Sequence, residues 1–243
     1  MLLLITNVGM ALCGGCAARR GGVEANRPDE RPIVVAVAPL LNLSDSTDFD
    51  PVRFTDMLAS ELQSFDRIAV IPVNRVMATL ELRGESIVKT PRDALELAEE
   101  LNADATIVAA VTEFDPYDPP RIGLLLQWYE RSRGESGRPL GFDPVAASRS
   151  ASATALASHA EAGGEDAPFL QVQRVIDASR SDVLSDMRSY GARRTGHASS
   201  FDWRVHMKAQ ELFVRYACNA VIRPMLEQRA RNGGQDGAHE AAP

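Results

Sequence analysis

Two short runs of small and β-branched residues, Ile-Val-Val-Ala-Val-Ala at 33–38 and Ala-Thr-Ile-Val-Ala-Ala-Val at 105–111, set the tightest limit on how this chain can fold. A strand that shows no alternation of apolar and polar positions must be covered on both faces, which calls for helices above and below a sheet. The stretches between and around these runs carry the period of helices instead. Asp50-Pro51 offers an N-cap followed by proline at the first helical position, and Phe54, Leu58, Leu62 and Phe65 then recur on one face, so a helix is predicted over 51–64. Residues 67–72 read as a second strand and 74–82 as a short helix stopped at Gly84. Thr90-Pro91 opens a further helix that Asn102 caps, and 105–114 form the next strand. Strands and helices in this order describe an α/β fold, a layered sheet with helices packed on it.

Beyond the proline-rich turn at 116–120, residues 121–129 can pair back as an antiparallel strand, which makes the sheet mixed. Residues 132–166 are rich in Ser, Ala and Gly and poor in large apolar side chains, too little to offset chain entropy, so this segment is expected to be a disordered insertion. A half-exposed strand at 169–177, a helix at 182–190 and a long C-terminal helix from about 199 complete the domain. Pro224 is expected to kink or end that last helix, and the polar residues 232–243 are expected to form a disordered tail. A single domain over 32–231 therefore carries the insertion.

The first residues have a different character. Residues 1–12 are apolar but too short to cross a bilayer core, which takes about 20 residues, and they read as the core of a signal peptide at 1–15. They end in Cys13-Gly14-Gly15-Cys16-Ala17, small residues before a cysteine, which resembles the lipobox of bacterial lipoproteins with Cys16 as the lipid attachment site. Two departures stand against the pattern: Cys13 occupies a position where leucine is usual, and no Lys or Arg precedes the apolar run. Ordinary cleaved secretion and an uncleaved anchor or buried strand are the competing readings. Acyl chains such as palmitate on Cys16 would hold the chain at a membrane, with the polar residues 17–31 as a tether. Ala17-Ala18, directly after Cys16, carries no acidic inner-membrane retention signal, which favours the outer membrane, with the folded part facing the periplasm.

The phrases Val35-Ala36-Val37-Ala38-Pro39-Leu40-Leu41-Asn42 and Leu95-Glu96-Leu97-Ala98-Glu99-Glu100-Leu101-Asn102-Ala103-Asp104-Ala105 resemble a group of envelope modules. That group is typified by the amino-terminal domain of TolB, the curli-secretion lipoprotein and the penicillin-binding-protein activator lipoproteins. The likeness covers residues 33–114, with a weaker echo at 172–178. It implies a non-catalytic scaffold that faces the periplasm and binds other envelope proteins; it carries over no catalytic site. Activation of a cell-wall synthase is one alternative within the group. A curli-type channel is disfavoured, because only 122–129 could serve as a membrane-spanning strand and the segment beside it is charged.

Candidates for chemistry are few. The net charge of −7 disfavours nucleic acid. His159, His197, His206 and His239 are dispersed, with no spacing for a metal. Cys218 lies in an apolar run, where cysteine is normally a small hydrophobe. The glycines form neither a phosphate loop nor a dinucleotide fingerprint, so no cofactor is expected. An enzyme on this fold would place its site at the strand ends, near 42–48 and 113–118, in a concave pocket of convergent acids. Trp128, Tyr129 and Trp203 are the interface candidates by residue type, beside a core role for each.

Overall fold

The computed structural model describes residues 31–131, 169–194 and 202–239, and the fold is that of the unit beginning at Pro32. The leader, Cys16 and the insertion at 132–166 lie outside the described residues. Strand β1 is Ile33–Val37 and β2 is the short Leu41–Asn42; α1 is Pro51–Leu62, β3 Ile68–Val70, α2 Val73–Leu82 and α3 Pro91–Glu100. Strands β4 (Ala105–Asp115), β5 (Arg121–Glu130) and β6 (Leu170–Asp177) come next, then α4 (Ser181–Arg194), a 3-10 turn at Asp202–Arg204, the four-residue α5 (Val205–Lys208) and α6 (Gln210–His239).

The sheet runs β3-β1-β4-β5-β6. β3, β1 and β4 are parallel, while β5 and β6 are antiparallel to their neighbours, so the sheet is mixed as expected. β2 continues the line of β1 along β4. Val37 faces Ile107 and Leu41 faces Ala110, so β1–β2 spends one residue more than its partner across Ala38-Pro39-Leu40. Pro39 has no N–H to give the ladder there. The amide of Leu40 turns out of the sheet and donates to Oγ1 of Thr55 on α1, 2.9 Å away, and the Thr55 hydroxyl in turn donates to the carbonyl of Pro51.

Alternate residues of the central strands enter two cores. Val35, Val37, Ile107, Val111, Leu124 and Trp128 face the larger core under α1, α4 and α6; Ala36, Ala38, Val108 and Tyr129 face the smaller one under α2 and α3. β1 and β4 are therefore covered on both sides, which is why their sequences show no polar alternation. Local chemistry sets the helix ends. Asp50 accepts from the amides of Val52 and Arg53 before Pro51, and Thr90 with Asp93 forms a capping box before Pro91. Asn102 closes α3 in the left-handed region, at φ 52°, with its amide on the carbonyl of Glu99.

The C-terminal region departs from expectation in one place, and of the two outcomes expected at Pro224 it excludes one. The single helix predicted from about 199 is broken at Ala209, which is extended, so α5 and α6 are separate. Pro224 does not end α6, which continues through it to His239.

Candidate functional site

The densest polar arrangement lies where α1, α4 and α6 meet. Glu61 faces inward from α1 and is 0% exposed, unlike most glutamates, which stay in water unless paired. Arg194 of α4 donates from Nη2 to its Oε2 at 2.5 Å, the hydroxyl of Tyr190 donates to the same oxygen at 3.2 Å, and Nη1 of Arg215 on α6 lies 3.5 Å from Oε1. Burial raises the carboxyl above its ordinary range, against the pull of Arg194, Tyr190 and Arg215. Burial and the nearby carboxylate push the Tyr190 phenol up as well, so it remains a donor.

A second carboxylate, Asp186, sits one helical turn before Tyr190. It accepts from the hydroxyl of Tyr216 at 3.2 Å and from Nη1 of Arg223 at 3.3 Å, and Nη2 of Arg223 donates to Oδ1 of Asn219. Tyr190, Tyr216 and His206 stack edge to face, with ring centroids 5.3 and 5.6 Å apart. His206 is buried against Gly191, and burial lowers its pKa, so the ring is neutral at pH 7. Beside this network a pocket of about 270 Å³ opens between the end of α4 and the middle of α6, with Ser64, Arg193, Arg194, Asn219 and Arg223 among its lining. A second pocket of about 300 Å³ lies on the other side of Asp186, toward β6, and mixes Arg174 and Arg180 with Asp182 and Asp186.

Among the described residues, the strand ends proposed for an enzyme site show no cluster of convergent acids. Phe49, Phe54 and Phe114 fill the space there, with centroids 4.4, 5.2 and 6.0 Å apart. The acids at 113–118 are engaged singly: Glu113 pairs with Arg121, Asp118 with Lys208, and Asp115 accepts from the amide of Tyr117. Asn42, Ser44 and Ser46 bond one another and the loop backbone, as a turn that leads into a helix does.

The aromatic interface candidates have their core role. Trp128 is 0% exposed, Tyr129 2% and Trp203 7%. Trp128 lies under α6, covered by the guanidinium of Arg229, which pairs with Glu130. The Tyr129 hydroxyl donates to Gln127, which donates to Gln171 on β6. Trp203 is held between Arg188 and Arg204 and against Gly191. All three rings are packed inside the described fold. The large apolar side chains exposed among the described residues are Val52, Leu82, Tyr117, Phe169 and Val175.

Cys218 is buried in α6 and its thiol is pushed up by burial, the state of a packed hydrophobe. Among the described residues no three His, Cys, Asp or Glu side chains converge as metal ligands, and no helix is long and apolar enough to cross a membrane. Sequence reasoning passed over the Glu61 network. The available signal was a glutamate at the apolar position between Leu58 and Leu62, on the buried side of α1.

No protein-family model matches the sequence, and no curated protein matches it. Solved structures similar to it in outline include the lipoprotein GNA1162 from Neisseria meningitidis, at 16% identity over 70% of this chain and 100% of that one, with a TM-score of 0.40. The C-terminal domain of LpoB from Salmonella enterica is 16% identical over 43% of this chain and 76% of that one, with a TM-score of 0.35. The PelC dodecamer from Paraburkholderia phytofirmans is 17% identical over 43% and 65%, with a TM-score of 0.28. At these scores function has to be argued from the residues themselves.

Proposed function

We propose that this chain is an exported lipoprotein, acylated on Cys16, whose α/β unit is a non-catalytic protein-interaction module of the cell envelope. The observation that carries the reading is the apolar run 1–12 closing on Cys13-Gly14-Gly15-Cys16, succeeded by a polar stretch and then a packed unit from Pro32. An acylated cysteine directly after a leader fastens the rest of the chain to a membrane and leaves a folded body free to meet partners beyond it. The non-catalytic part of the proposal is supported by how the fold uses its reactive groups. The strand ends are packed by phenylalanine, the acids at 113–118 are engaged one by one, and Glu61 and Cys218 are held inside packed helices. Other envelope proteins are the proposed partners, and the outer membrane, periplasmic side, is the proposed location.

Metabolic labelling with a fatty acid tests the anchor. Label on the full chain that persists in Cys13→Ala and disappears in Cys16→Ala is the expected result. An unlabelled chain, or label that survives Cys16→Ala, removes the anchor.

A further inference from the structure

The pocket beside the Glu61 network is lined by three arginines and by no carboxylate. Two of them are held from behind. Arg194 spends Nη2 on Glu61 and Ser64, and Arg223 spends Nη1 and Nη2 on Asp186 and Asn219, so Nε of both groups and Nη1 of Arg194 have no described partner. Arg193, on the exposed side of α4, makes no hydrogen bond or ion pair among the described residues. Asn219 accepts from Arg223 through its oxygen, which leaves its amide group to donate.

Two arginines in the last turn of a helix offset the negative end of its dipole, and that accounts for Arg193 and Arg194. It does not account for Arg223, which arrives from α6 at the same pocket. The neighbouring pocket mixes arginines with aspartates and has no such bias. Like charges gathered from two helices, Arg194 fixed from behind by the buried Glu61 and Arg223 by the half-buried Asp186, form a fork of N–H donors, the geometry that suits an oxyanion.

We infer that this pocket binds an anionic oxygen group of the phosphate class, carried by a soluble molecule or by a phospholipid headgroup. The inference does not rest on the envelope reading. The chain's net charge of −7 works against diffuse attraction of anions, so saturable binding reports the pocket rather than the overall charge.

Titration of the full chain with inorganic phosphate against chloride at equal ionic strength, monitored by the side-chain amide and arginine Nε–H resonances, tests it. Saturable shifts at Asn219 and Arg194 are expected, with affinity about tenfold weaker in Arg193→Gln, the loss of one charge-assisted contact. Arg92→Gln, on α3, serves as the control and leaves affinity unchanged. Arg193 supports no other described contact, so its variant folds; Arg223→Gln, checked by its thermal midpoint, gives a second reading. Vesicles of phosphatidylglycerol against phosphatidylcholine separate the sources. Retention that depends on Arg193 assigns a headgroup, and phosphate saturation without retention assigns a soluble ligand. Shifts that grow linearly with phosphate, or an equal loss in Arg193→Gln and Arg92→Gln, overturn the proposal.

Discussion

Arg174 on β6 donates from Nη1 to the backbone carbonyl of Ala220 at 2.8 Å, and Ala220 stands four residues before Pro224 in α6. A proline inside a helix has no N–H for the carbonyl one turn back, and that orphaned acceptor is one reason prolines end helices. Here a guanidinium from the adjoining strand takes the place of the missing amide. Arg174→Met is expected to destabilise the fold by about 1 kcal/mol, as an acceptor left without its partner does. In a Pro224→Ala background the alanine amide serves the carbonyl, so the same substitution should cost less than half as much. Urea unfolding of the four proteins measures the coupling, and additive costs would show that Arg174 and Pro224 act independently.

That pair also marks where the sequence stopped being legible. Helix starts such as Asp50-Pro51 and Thr90-Pro91 were readable because the cap and its partner lie within three residues of each other. The fully apolar strands β1 and β4 were readable because burial on both faces leaves its mark on every residue. Even the phrase Ala103-Asp104-Ala105 has a local use: Asp104 accepts the amide of Val34 through Oδ2 and donates its own amide to the carbonyl of Val34, extending the β1–β4 pairing. That α6 runs on past Pro224 was not legible, because the group that serves the freed carbonyl comes from 46 residues upstream of it, in another element. The same holds for Glu61, whose partners lie 129 and 133 residues away on α4. Long-range satisfaction of a polar group leaves only an oddity in the sequence, a charged residue on an apolar face.

Gly123 on β5 faces a bulge in β4, where the pairing shifts between Val111 and Glu113. A Cβ at Gly123 would lie 2.5 Å from Oγ1 of Thr112 and 3.2 Å from Cβ of Glu113. Gly123→Ala should therefore cost about 1–3 kcal/mol through overpacking. Thr112→Ala removes the nearer of the two atoms, and the double variant should recover most of the loss. Thermal midpoints of the three variants decide it; a double variant no more stable than Gly123→Ala would place the strain at Glu113 instead.

Glu61 sets burial against ion pairing, and pH separates them. Its carboxyl has an ordinary value of 4.5 when the chain is unfolded and is raised in the folded state, chiefly by burial. Between those two values the folded chain keeps a proton that the unfolded chain has released. The contribution of Glu61 is therefore full below 4.5 and is lost as pH climbs through the folded value. Glu61→Gln cannot ionise, and the arginines it leaves, 37% and 33% exposed, can turn to water. At pH 4, where the native carboxyl is largely neutral, the substitution should change stability by less than about 1 kcal/mol. From pH 4 to 7 the balance should move steadily toward Glu61→Gln, read as the difference between two urea unfolding curves at each pH. Glu61→Ala also strands the Tyr190 hydroxyl and opens a cavity, so it should cost about 2–4 kcal/mol throughout. A native protein that instead gains on Glu61→Gln as pH rises would mean that the Arg194 contact outweighs the burial of its partner, and that the network is a net source of stability rather than a cost the three helices carry.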